Sequence, residues 1–153
     1  MPVYKPEFFK PELLGYYPHM ARRDAVIWER YLKLEARSWL GFAYDVALGG
    51  MKVTDPLASE AELLAWQFST AQRVDVVGDR ATEHWIIEVR AQARVGAVGA
   101  VMGYTLLAQR EPWTHLPLVP AVVTDNMSPD VRWVAEQFNV QVIIVPEPPE
   151  RVL

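Results

Sequence analysis

The chain has 153 residues, 51% of them hydrophobic, with 15 basic and 19 acidic groups for a net charge of −4. That length and apolar share suit one domain with a real core and exclude wholesale disorder. With no cysteine, disulfide scaffolds, thiol nucleophiles and Cys-ligated zinc or iron–sulfur centres are excluded, and the three His (His19, His84, His115) are too widely spaced for a His-rich metal site.

Residues 1–20 hold Pro2, Pro6, Pro11 and Pro18 together with the pairs Phe8-Phe9 and Tyr16-Tyr17. No apolar run follows the first Lys, so this is not a signal peptide, and an extended arm lying on the surface or on a partner is expected. From 21 to 37, Val26, Ile27, Tyr31 and Leu34 recur at helical spacing behind Asp24, which predicts an amphipathic helix. Residues 39–48 read as a strand closed by Gly49-Gly50. A short helix over 59–68 follows, with Ser59 and Glu62 spaced as a capping box.

Two β-rich runs, 73–78 and 84–90, are joined by a polar turn and predict a hairpin. His84 falls at the edge of that turn. The uncharged run 95–109 is shorter than the ~20 residues needed to cross a bilayer and predicts a buried helix. Its Gly99 and Gly103 form a GxxxG pair, read as close packing of the helix on the sheet. A strand over 118–124, a helix opened by Ser128-Pro129, a strand over 140–145 and a Pro-rich tail over 146–153 complete the chain. Of the six Trp, Trp28 and Trp85 are the strongest core candidates.

This order predicts an α/β fold with a mixed five-stranded sheet. Strands one to three form an antiparallel meander, and two parallel strands are each reached through a helix. Residues 21–145 form a single domain, with no internal repeat. Nothing in the sequence calls for a membrane, and a cytoplasmic protein, or one carried in a virion, is expected.

Charge is unevenly placed. Residues 111–153 carry two basic against six acidic groups, whereas residues 71–110 carry five against four. A DNA ligand is therefore limited to a local groove in the middle of the chain.

That middle segment places ionisable groups inside strands. Asp75 interrupts an apolar run, and Glu88 and Arg90 share one strand face. Buried carboxylates need a partner. Two are open: an ion-pair network with Arg73 and Arg90, or a divalent cation held by two carboxylates, a carbonyl and water.

Strand–turn–strand bearing Asp75, then Glu88-Val89-Arg90, then a helix of small residues resembles the PD-(D/E)XK nuclease superfamily, whose fold is the restriction-endonuclease-like sandwich. The resemblance covers roughly residues 21–145. It implies that Asp75 and Glu88 ligate Mg²⁺ and that Arg90 occupies the position of the motif Lys. It also implies a further carboxylate on the first helix, for which Glu29 is the first candidate and Glu35 the second; Asp45 on the first strand is a weaker one. Two positions depart from the pattern. Arg cannot release a proton at ordinary pH, and the Gln-x-x-x-Tyr pair found on the following helix in many relatives is here Ala100 and Tyr104. Arg73 and Arg94 are expected phosphate contacts, with Arg110 at the far end of that helix.

Two functions follow. One is a Mg²⁺-dependent nuclease acting on DNA phosphodiesters through Asp75, Glu88, Arg90 and Glu29. The other is a non-catalytic assembly protein on the same fold, such as a phage neck or tail component, that meets neighbouring subunits through its terminal arms.

Overall fold

The structure, a computed structural model, describes residues 5–148. Residues 1–4 of the arm and 149–153 of the tail lie outside the described residues. The strands are β1 (Gly41–Leu48), β2 (Gln72–Asp79), β3 (His84–Val89), β4 (Leu118–Thr124) and β5 (Gln141–Ile144), side by side in chain order. β1, β2 and β3 pair antiparallel, while β3–β4 and β4–β5 pair parallel. This is the expected meander with two parallel additions. Val and Ile dominate the central strands because both of their faces are covered.

The helices are α1 (Arg22–Glu35), α2 (Glu60–Thr70), α3 (Val95–Arg110) and α4 (Pro129–Gln137). Side chains alternate along a strand, so neighbouring residues such as Ile86 and Ile87 enter different cores. On one face, Ile27, Trp28, Tyr31 and Leu32 of α1 pack with Phe42, Val76, Ile87 and Val123. On the other, Val98, Val101 and Ala108 of α3 and Ala135 of α4 pack with Val77, Ile86 and Val122. The result is three layers: α1, the sheet, then α3 with α4.

Local chemistry sets the helix ends as expected. Ser59 and Glu62 form the capping box of α2, and Ser128 caps α4 with Pro129 behind it. α2 lies at the periphery with only Gln67 buried, and Gln67 Nε2 donates to the Gly49 carbonyl at 3.1 Å. That approach requires glycine at Gly50. Its φ is 95°, and a Cβ there would stand 2.1 Å from the Gln67 carbonyl oxygen.

The arm folds back on its own domain. Phe9 and Phe42 exchange two backbone hydrogen bonds across the outer edge of β1, at 2.8 and 2.9 Å. Tyr17 is buried against the α1 core. Trp28 is fully buried as expected, but Trp85 is half-buried, and Trp66 and Trp133 are exposed. Among the described residues no helix is long and apolar enough to cross a membrane.

One irregularity positions the site. The β1–β2 ladder runs through Tyr44↔Val76 and resumes at Val46↔Val74, skipping Asp45 and Asp75. Tyr44 and Val76 belong with the α1 core, whereas Val46 and Val74 belong with the α3 core. Both strands thus switch faces at the same point, where Asp45 has a φ of 50°. The bend leaves the two Asp side chains outside the regular alternation.

Candidate functional site

Asp75 sits at this bend, where β2 parts from β3. The β2–β3 register ends at Val76↔Ile87, and continuing it by one step sets Asp75 opposite Glu88 on one face. The ladder does not take that step. Asp75 Oδ2 accepts the Val89 backbone N–H at 2.9 Å instead. The two carboxyl groups come within hydrogen-bonding reach of each other. Glu88 is almost sealed, with its side chain 3% exposed, and Arg90 Nη2 donates to its Oε1.

Burial and mutual repulsion govern the electrostatics. Burial, followed by the Glu88 charge, pushes Asp75 up to about 7, against the lowering pull of the Val89 N–H and Arg90. Glu88 is also raised, by burial, although its bond to Arg90 opposes this. The pair also acts on Tyr104 of α3: burial and then the charges of Glu88 and Asp75 raise its hydroxyl.

The chain just past β3 is held by three side chains from two other parts of the fold, α1 and the end of β4. Ala91 N–H donates to Asp24 Oδ1 of α1 at 2.8 Å, and Gln92 N–H to Asp125 Oδ1 at 2.7 Å. Ala93 N–H donates to Thr124 Oγ1 at 3.1 Å. These bonds fix the strap that carries Arg90, whose side chain is 54% exposed. Arg90 and Arg94 line a cleft of about 510 Å³ at the N-terminus of α3, an end that favours anions.

The first-helix carboxylate beside the pair is therefore Asp24, not Glu29. Asp24 is 9% exposed, and its charge acts on Asp75, Glu88 and Arg90. Glu29 instead lies near Tyr17, which burial raises first and the Glu29 charge raises further. Glu35 is exposed at the end of α1, near Tyr31. The signal for Asp24 was its place at the first turn of α1, which sequence reasoning took as a helix start alone.

The other candidates are engaged elsewhere. Arg73 donates from Nη1 to Asp45 Oδ2 at 2.8 Å and stacks on Phe68 at 3.6 Å, so it belongs to the outer edge of the sheet rather than to Asp75. His84 is buried, not a free residue of the turn. Its Nδ1 accepts the Trp113 indole N–H at 3.0 Å, its Nε2 is 3.5 Å from Asp79 Oδ1, and burial lowers its pKa. Arg110 lies with Tyr104 along an open cleft on α3. Gly99 and Gly103 line that cleft too. A Cβ on either would meet nothing within 4 Å, so the GxxxG face points away from the sheet.

Among the described residues no group of three or more His, Cys, Asp or Glu is arranged to hold a metal ion. The donor set at the pair is two carboxyl groups. One oxygen of each is committed, to Val89 N–H and to Arg90, which leaves a second oxygen on each. Hard, closely set oxygens of this kind fit a divalent cation that completes its shell with water or a carbonyl.

No family model matches the chain, and neither does any curated protein. Among solved structures the chain is similar to a protein of unknown function, AF1548, at 15% identity and a TM-score of 0.48. The match covers 73% of this chain and 52% of that one, so the chain spans about half the length of that protein.

Proposed function

We propose that the chain is a restriction-endonuclease-like sandwich acting on DNA phosphodiester bonds, with Mg²⁺ held by Asp75 and Glu88. The observation that carries this reading is the meeting of the two carboxyl groups at the end of β3. There the ladder opens and Asp75 is raised to about 7 by burial and by Glu88. A chain that brings two carboxylates together without enough cations of its own has a place for one from solution.

Bound Mg²⁺ supplies charge neutralisation at a scissile phosphate and a water of lowered pKa. The residues of the chain do the rest. Arg90, half-exposed at the mouth of the cleft, donates hydrogen bonds to a phosphate oxygen; always protonated, it cannot take a proton from the attacking water. Arg94 and the α3 N-terminus hold a neighbouring phosphate in the same cleft. Asp24 is the nearest further carboxylate, in place of Glu29.

A second reading has its own support. Glu88 is sealed under its bond to Arg90, an ion pair that is closed without any metal. On that reading the fold is a structural module and the pair only fixes the end of β3.

Purified protein is incubated with supercoiled, linear and single-stranded DNA in Mg²⁺ or Mn²⁺, and metal binding is followed by calorimetry. Cleavage, increased in Arg90→Lys, is the expected result. If all three DNA forms stay intact and no heat of metal binding appears, the nuclease reading falls and the structural one stands.

A further inference from the structure

The start of β3 holds a buried ionisable group that neither reading of the carboxylate pair uses. His84 is 7% exposed, and its ring meets Phe8 of the arm, Asp79 of β2 and Trp113 of the connection 111–117 between α3 and β4. Its two nitrogens are engaged with opposite polarity. Nε2 lies 3.5 Å from Asp79 Oδ1, an oxygen that also accepts the Ala81 N–H at 2.9 Å. Nδ1 accepts the Trp113 indole N–H at 3.0 Å. An indole N–H can only donate, so this bond needs a bare Nδ1 and puts the one ring hydrogen of neutral His84 on Nε2, towards Asp79.

We propose that His84 is an acid-operated latch on the 111–117 connection. A proton from solvent enters at Nδ1, because Nε2 already carries one. The imidazolium then has two N–H groups and no acceptor, so the Trp113 indole N–H faces a second donor and its bond breaks. Trp113 leaves the end of the sheet and loosens the connection. The release stops at Pro117, whose carbonyl accepts the His84 backbone N–H at 3.0 Å in either charge state.

The surroundings of the ring set the direction of the switch. Asp79 of β2 is the charge that attracts the proton. Glu83 and Arg80 of the neighbouring turn serve the α1 side of the sheet, where Glu83 accepts the Trp85 indole N–H at 2.9 Å and Arg80 stacks over Trp39 and Trp85. In the connection, Glu111 pairs with Lys52 and His115 is exposed. The arm presents the uncharged ring of Phe8, 5.1 Å away, and β4 presents Leu118. Burial outweighs the pull of Asp79, so His84 charges below the usual 6.5. The stability that the closed latch contributes is therefore complete above 6.5 and is lost as pH falls through the lowered folded value.

Proton NMR of the full chain, titrated from about pH 7.5 to about pH 4.5, follows the three His rings and the Trp113 indole N–H. His84 is expected to titrate below the exposed His19 and His115. With the same midpoint, the Trp113 indole N–H should lose its protection from solvent exchange by about tenfold or more, while the Val122 amide of β4 stays protected. Trp113→Phe removes the donor and keeps a ring, and is expected to raise the His84 midpoint by about half a unit or more. Asp79→Asn keeps an oxygen for the Ala81 N–H and is expected to lower it. The proposal is overturned if the Trp113 indole keeps its protection through the His84 titration, if Trp113→Phe leaves the midpoint in place or lowers it, or if Asp79→Asn raises it. Loss of Val122 protection at the same pH would overturn it too, because the transition would then be global unfolding. His84 opens β3 and Glu88 lies near its other end, and no measurement here uses DNA or metal, so the latch and the nuclease reading stand or fall separately.

Discussion

Asp75 is ionised at a cost. Its ordinary pKa is near 3.8, and the folded protein raises it to about 7 through burial and the Glu88 charge. A carboxyl group raised on folding stabilises the native state fully below its unfolded value, and that contribution is lost as pH climbs through the folded one. Asp75→Asn keeps an oxygen to accept the Val89 N–H and never ionises. Its stability, read from melting curves, should therefore match that of the parent near pH 4 and exceed it increasingly towards pH 8, by on the order of 2 kcal/mol. A gain that is flat across pH, or largest in acid, would sink this account of the pair. On the proposed reading Mg²⁺ would compete with the same proton, so it should raise the parent's melting temperature at pH 8 more than at pH 5, and the variant's at neither. The residues themselves were legible: a carboxylate inside an apolar strand run is conspicuous. The role of Asp24 was not, because a side chain that accepts a backbone N–H 67 residues away leaves no local pattern.

At the scale of elements, α3 separates what periodicity can tell from what it cannot. The i, i+4 spacing of Gly99 and Gly103 does put them on one face. Which face is another matter. α3 is apolar nearly all the way round, so no polar stripe marks its outside. Val98, Val101, Thr105 and Ala108 take the buried side, and the glycines are left in the open. Glycine in a helix interior costs ~0.5–1 kcal/mol relative to alanine. Gly99→Ala and Gly103→Ala should each stabilise the protein by about that amount in urea melts. Gly50→Ala should do the reverse, because its Cβ would collide with the Gln67 carbonyl at a φ alanine resists. Loss of stability in the α3 variants would mean that the helix packs by its glycine face after all. The caps of α2 and α4 were legible for the opposite reason: Ser59 with Glu62, and Ser128 with Pro129, act within one turn and need no tertiary context.

For the molecule as a whole, element order was enough to place the strands, since a meander followed by two helix-linked strands has few ways to pair. The path of the arm was not legible. Its prolines forbid regular structure without saying where an irregular segment rests. It rests on an edge. β1 and β5 are the two open sides of the sheet, and an unpaired edge is a template for another chain. Phe9 closes part of the β1 edge with two backbone bonds to Phe42, and the neighbouring Phe8 ring lies 5.1 Å from the His84 ring, which anchors the arm at the start of β3. Removing residues 1–10 should cost about 1–3 kcal/mol, from two lost hydrogen bonds and the exposed ring contact. It should also free the β1 edge for pairing with a second copy. Sedimentation velocity would then detect a concentration-dependent dimer of the shortened chain that the full chain does not form to the same extent. A shortened chain that melts like the parent and sediments no differently would show that the arm merely covers the edge without protecting it.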